Sequence, residues 1–291
     1  MASDCISKTG LHCEVYGSGD PILCLHGLGA STHSWREFRE PLSKQNKLFL
    51  LDFKGFGASP KPKDKHYEIT EHAESAYQLI LEHDLRNLTL IGNSFGGAVS
   101  LLVAIRLCAE QPRRLEKLVL IDSAGYNQKL PLHLKLLRAP LLGWLIIHLL
   151  PPKVSALFVL KNSYYDHAKI TQAQVDAYAQ PIADRGGRNA LLETAKQIVP
   201  DNIDELIAKY PTINVPTLIL WGKEDEVIPL EIGEMLDAAI PTSKLVTIER
   251  SGHVPQEETP EAVVPLVLKF LRPEDNSAEN QLAADDFTLK A

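Results

Sequence analysis

The sequence has no apolar run long enough to cross a bilayer. Its longest, residues 139–150, is too short and is interrupted by Pro140, Gly143 and His148. The first twenty residues hold Asp4, Lys8, Glu14 and Asp20 where a secretory leader needs a basic start and a long apolar stretch. Cysteine is scarce. Cys5, Cys13, Cys24 and Cys108 are scattered, two of them inside apolar segments, with no zinc-like Cys/His spacing. That is the pattern of free, mostly buried thiols in a reducing compartment. There is no Lys/Arg-rich stripe and no internal repeat. The formal net charge of −7 gives no electrostatic footprint for nucleic acid or an anionic membrane surface. These absences lead to an expectation of a cytoplasmic protein with no membrane span, no nucleic-acid partner and no metal site.

What is present is ordinary globular composition, 45% hydrophobic and 23% charged over 291 residues, enough to bury a substantial core. Short apolar runs at 11–16, 22–26, 48–53, 88–92, 118–122 and 217–221, and a weaker one at 245–248, read as strands. Continuous apolar character marks strands buried on both faces. Helical patterns lie between them, at about 33–44, 70–84, 95–110, 230–239 and 260–271. Strand–helix alternation with buried strands predicts an α/β protein, a parallel sheet covered by helices on both sides. One region breaks the rhythm. Residues 125–212 are Leu-rich and helical, cut by prolines at 131, 140, 151, 152, 181 and 200. The strand pattern then resumes at Thr217. This predicts a core domain of residues 1–124 and 213–272 with a helical cap inserted at 125–212. The acidic, polar residues 273–291 read as a flexible tail.

Four segments carry chemistry. LIGNSFGGA, residues 90–98, places Gly92-Asn93-Ser94-Phe95-Gly96 where a strand ends and a helix begins. A serine on so tight a turn needs small neighbours two residues away on each side, and Gly92 and Gly96 are small. The turn projects the Ser94 hydroxyl at a helix N-terminus, where free N–H groups favour negative charge. Ser94 is the expected nucleophile. ILCLHGLGA, residues 22–30, follows a strand with a glycine-rich loop whose amides can turn toward a developing oxyanion. The two donors are assigned to the backbone N–H groups of Leu28 and Phe95. His26 in that loop is expected to hold it by side-chain hydrogen bonds. TLILWGKEDEVIP, residues 217–229, puts Asp225 just past a strand end, suited to orient a histidine. Asp122, at the end of the 118–122 strand, is a second candidate for that role. VTIERSGHVP, residues 246–255, puts His253 in a flexible turn after a strand. The order Ser, Asp, His along the chain completes the set. Asp52, Gly55 and Gly57 read as a structural loop.

With these four segments in place the chain resembles the α/β-hydrolase family over about residues 10–272. The resemblance implies an eight-stranded, mostly parallel sheet under a helical cap. It implies the positions of Ser94, Asp225 and His253 as catalytic, with Leu28 and Phe95 as the oxyanion hole. Relatives that open epoxides or remove halides carry aspartate in place of Ser94, so neither activity is expected. GNSFGG is similar to the elbow of hydrolases that cleave carbon–carbon bonds in ring-fission diketones. Those enzymes usually carry tryptophan after the catalytic histidine, where this chain has Val254, and use a cap arginine, for which Arg185 and Arg188 are present. The expected activity is therefore carboxylic ester hydrolysis through an acyl-enzyme, needing no cofactor. The alternatives are a carbon–carbon bond hydrolase, a lipase or a thioesterase. A peptidase would use cap acids such as Asp166, Asp176 or Asp184. A non-catalytic binding protein is disfavoured because all three residues are present. Trp144 and Phe158 are the expected pocket residues for an apolar acyl or alcohol group.

Overall fold

The computed structural model describes residues 3–8 and 10–272; the expected tail at 273–291 lies outside them. Eight strands form one sheet. They are β1 (Ser3–Ile6), β2 (His12–Gly17), β3 (Asp20–Leu25), β4 (Asn46–Leu51), β5 (Leu88–Asn93), β6 (Leu115–Ile121), β7 (Thr217–Gly222) and β8 (Ser243–Ile248). Their spatial order is β1-β2-β4-β3-β5-β6-β7-β8. Only the pairings β1 with β2 and β2 with β4 are antiparallel; the remaining six strands run parallel.

The strand sequences explain the layering. Side chains alternate across a pleated sheet, so a run apolar at every position must be covered on both faces. On β3, Leu23 and Leu25 enter one core and Ile22 and Cys24 the other. The first core is closed by α2 (Ile69–Glu82) and α3 (Phe95–Glu110), through residues such as Ala76, Ile80, Val99 and Leu107. The second is closed by α1 (Arg36–Ser43), through Phe38 and Leu42, and by the chain's last described helix, through Val263 and Val267. A short 3-10 turn, Thr32–Trp35, precedes α1 and takes the first part of what the sequence suggested as helix.

Between β6 and β7 the chain forms six helices and no strand. They are α4 (Leu132–Arg138), α5 (Pro140–Leu149), α6 (Pro152–Ser163), α7 (Gln172–Ala179), α8 (Arg185–Lys196) and α9 (Ile203–Ile207). Pro140 and Pro152 open α5 and α6 at positions where a missing N–H costs nothing. After β7 come α10 (Leu230–Ala239), α11 (Pro255–Glu258) and α12 (Pro260–Leu271).

The sequence reading lacked β1, a four-residue strand with only two apolar residues. It also ran three strands slightly long. β3, β4 and β6 end at Leu25, Leu51 and Ile121, which leaves His26, Asp52 and Asp122 in the loops beyond. Those loops all lie at the carboxyl ends of parallel strands, where open α/β sheets gather their ligand sites.

Candidate active site

Ser94 stands between β5 and α3 with φ of 56° and ψ of −118°. A non-glycine residue in that region is held by its surroundings, at a cost of order 1–3 kcal/mol. The surroundings here are backbone. A Cβ on Gly96 would lie 2.1 Å from the Leu25 carbonyl oxygen, and one on Gly92 would lie 2.3 Å from that of Gly96. The small residues flanking Ser94 therefore let α3 drop onto β3 and tighten the turn. Ser94 N–H donates to the Ile121 carbonyl at 3.0 Å.

The Ser94 hydroxyl lies 2.8 Å from His253 Nε2, and His253 Nδ1 lies 2.7 Å from Asp225 Oδ2. The other Asp225 oxygen accepts the Val227 and Ile228 N–H groups at 2.7 and 3.0 Å. One carboxylate is thus fixed by its own loop and aimed at the imidazole. Only one His253 tautomer, Nδ1–H with Nε2 free to accept, suits an ionised Asp225 on one side and a hydroxyl on the other. Phe95 is the first residue of α3, so its N–H has no partner within the helix. Among the described residues Leu28 N–H also donates to no backbone carbonyl. Both residues line the same cavity as Ser94 and His253.

Asp122, the rival acid, sits beside this chain: an oxygen of Asp122, an oxygen of Asp225 and a nitrogen of His253 lie within 4.8 Å of one another. Asp122 is fully buried, and Gly222 N–H donates to its Oδ1 at 2.9 Å. Burial first, and the Asp225 charge second, push its carboxyl well above the usual carboxylate range. Its Oδ2 receives no donor, as expected of an oxygen that carries the proton itself. A neutral Asp122 is an O–H donor facing Asp225.

Three residues that the sequence reading passed over hold His253. Asn93 Nδ2 donates to the His253 carbonyl at 3.2 Å and to that of Ile121 at 3.1 Å. The Ser163 carbonyl, at the end of α6, accepts His253 N–H at 2.7 Å. The buried Glu258 carboxylate accepts the N–H groups of Gly252 at 2.7 Å, Tyr165 at 3.1 Å and Asp166 at 2.6 Å. The histidine loop is thereby tied both to the sheet and to the helical segment. Asn93 adjoins the serine motif, which was the one local signal. Ser163 and Glu258 had none.

The remaining expectations divide. His26 is buried, its Nδ1 donating to the Gly27 carbonyl at 2.8 Å and its Nε2 accepting Phe53 N–H at 3.2 Å, so it holds the loop. Burial lowers the pKa of its imidazole. Asp52 accepts N–H groups from Thr32 and Ala58, both at 2.8 Å, and pins the loop containing Gly55 and Gly57. Phe158 lines the cavity. Trp144 does not: it faces outward, stacked on His148 at 4.6 Å, which corrects its expected place in the pocket. Arg188 Nε is engaged by the Ile182 carbonyl at 2.9 Å, and neither it nor Arg185 lines the cavity. Asp166, Asp176 and Asp184 stay outside it too; Asp166 and Asp184 cap helical turns and Asp176 pairs with Lys153.

The cavity encloses about 410 Å³ above Ser94. Leu134, Ile146, Val159, Leu191, Leu206 and Tyr210 are among its walls, and no Lys, Arg, Asp or Glu is among the described residues lining it.

Strands that end in a strained serine, two acids and a histidine, beneath an apolar cavity, define an α/β protein built for hydrolytic chemistry. The chain belongs to the alpha/beta hydrolase fold family, whose model matches residues 20–260. It is 31% identical over 251 residues to Lipase 3 of Moraxella sp., covering 83% of this chain and 74% of the lipase. It is 29% identical over 275 residues to the 2-hydroxy-6-oxo-2,4-heptadienoate hydrolase of Pseudomonas putida, covering 92% and 94%. Among solved structures, the 2-hydroxy-6-oxo-6-phenylhexa-2,4-dienoate hydrolase of a Rhodococcus strain superposes with a TM-score of 0.79 at 21% identity. That match covers 94% of this chain and 99% of the other.

Proposed function

We propose that the protein is a serine hydrolase of uncharged carboxylic esters, with residues 125–212 as a cap over the site. The observation that carries this reading is the hydrogen-bonded chain from Ser94 through His253 to Asp225, at 2.8 and 2.7 Å. Ser94 Oγ attacks the ester carbonyl and its proton passes to His253 Nε2. The carbonyl oxygen becomes an oxyanion against the N–H groups of Leu28 and Phe95. Asp225 stabilises the imidazolium, which then gives its proton to the leaving alcohol. Water repeats the sequence on the acyl-enzyme and frees the acid.

Carbon–carbon bond cleavage is the second reading, suggested by the named activity of the Pseudomonas putida relative. Its dienoate substrate carries a carboxylate, and a buried anion needs a cation beside it. The cavity offers none, and Val254 packs against Ala156, Leu160 and Val175 of the cap. This favours a neutral acyl group.

Hydrolysis of a p-nitrophenyl ester series from acetate to palmitate tests the proposal. The expected result is a maximum at medium chains and loss of turnover by a factor of roughly 10⁴ or more in Ser94→Ala. Turnover of none of the esters, or full activity in Ser94→Ala, would overturn it.

A further inference from the structure

Eleven large apolar side chains are exposed among the described residues, and ten of them fall between residues 132 and 165. Leu141, Leu149 and Leu132 are 72%, 70% and 70% exposed. Soluble proteins scatter such residues singly; a concentrated patch marks an interaction surface. The same stretch has a distinctive charge. From Ser123 to Tyr165 there is no Asp or Glu, while Lys129, Lys135, Arg138, Lys153 and Lys161 are present, in a chain of net charge −7. Only Lys153 forms a salt bridge among the described residues, with Asp176. Asp201 shares a groove with Lys135 and Arg138 but pairs with neither.

Basic and apolar groups share faces. On α6, Lys153, Leu157 and Lys161 are spaced by four residues and are all exposed. On α4, Leu132, Lys135 and Arg138 are spaced by three and are likewise exposed. No helix here is long and apolar enough to span a membrane, and α5 and α6 are bent from one another by 112°. The surface is also continuous with the cavity. Leu150, Val154 and Phe158 line the cavity and are themselves exposed, so its wall reaches this face.

We propose that α4, α5 and α6 form a docking surface for an anionic lipid bilayer. Leu141, Leu149, Leu157 and the Trp144 ring enter the acyl boundary, and the lysines and Arg138 lie among the headgroup phosphates. A second copy of the chain fits the apolar groups less well, since it would set this cationic face against itself. Net charge hides the feature because the acids that outweigh it lie elsewhere in the sequence. Resting on the ester-hydrolase reading, the surface identifies the substrates as acyl esters drawn from the bilayer rather than from water.

Flotation of the full chain with vesicles tests the docking without any use of activity, so its failure leaves the hydrolase reading intact. Vesicles of phosphatidylcholine with about a third phosphatidylglycerol should carry the protein at low salt, and high salt should release it. Pure phosphatidylcholine should bind at least tenfold more weakly. Each basic side chain near an anionic leaflet contributes roughly fivefold. Lys135→Ala with Lys161→Ala should therefore weaken binding to the anionic vesicles by about 25-fold. Leu141→Glu with Leu149→Glu, both outside the cavity lining, should abolish it while the thermal midpoint holds. No flotation with anionic vesicles, or equal flotation of all variants, would overturn the proposal. So would a dimer, seen by sedimentation, that Leu149→Glu dissociates in a protein that binds no vesicles.

Discussion

His72 lies on α2 with both ring nitrogens buried and without a hydrogen-bond partner. Its neighbours are aromatic: Phe53 and Phe95 meet it edge-on at 5.2 and 5.3 Å, and Phe56 and Tyr67 stand at 6.4 and 6.3 Å. Burial first, then the nearby His26 and Lys54, lower its pKa from 6.5 to about 3. Between those values the unfolded chain binds a proton that the folded chain refuses. Stability therefore rises with pH across this window, and is lost as pH falls from about 6.5 toward 3. At pH about 5 the loss from this group alone is about 2 kcal/mol relative to pH about 7.5. His72→Phe removes the titration and two unpaired polar atoms, and fits an aromatic cage. It should gain about 1 kcal/mol at neutral pH. It should also lose about 2 kcal/mol less than the parent on acidification. Urea unfolding at the two pH values, followed by the fluorescence of the buried Trp35 and Trp221, measures both differences. His26, whose pKa is also lowered, remains in both proteins, so the comparison isolates His72. Equal acid losses in parent and variant would refute the reasoning and require a proton partner for His72 in the folded state.

Substitutions at two further residues probe the groups behind the hydrogen-bonded chain of Ser94, His253 and Asp225. Glu258→Ala strips the acceptor from the Gly252, Tyr165 and Asp166 N–H groups and should cost about 2–4 kcal/mol. Because it loosens the His253 loop, kcat should fall more than KM rises; an unchanged kcat in a folded variant would remove its positioning role. Asp122→Asn keeps a donor toward Asp225 and an acceptor for Gly222 N–H, so kcat/KM should stay within about threefold, against a roughly tenfold loss in Asp122→Ala. The raised pKa of Asp122 means that the folded chain holds a proton the unfolded chain has lost. That contribution falls as pH rises from about 4, so Asp122→Asn should be the more stable protein at neutral pH. Urea midpoints for parent and Asn variant that stay parallel between pH about 4 and 7 would count against a neutral Asp122.

Local sequence specified a great deal of this protein, because the relevant physics is local. A strand buried on both faces is apolar at every position, so β3, β5, β6 and β7 are legible one by one. A tight strand–turn–helix needs small residues around its serine, so Gly92, Ser94 and Gly96 announce the turn before any contact is known. β1 escaped notice because four residues with two apolar side chains carry no pattern; β2 supplies the pairing that makes them a strand.

Other features depended on residues distant in the chain. Asp122 and Asp225 end neighbouring strands and look alike in sequence. The Val227 and Ile228 amides and the reach of His253 decide that Asp225 takes the imidazole, while burial raises the pKa of the Asp122 carboxyl. Helical patterning marked residues 125–212 as helices but not which side each would turn toward the sheet. Phe158 ended on the cavity wall and Trp144 on the outer face for that reason. The grip of Ser163 and Glu258 on the histidine loop joins segments about ninety residues apart. The elements and the candidate site residues were thus determined by short stretches of sequence. The choice between the two acids, the lining of the cavity and the basic, apolar face beside it were decided only when distant stretches packed together, since burial and hydrogen bonding belong to the neighbours a residue acquires in the fold.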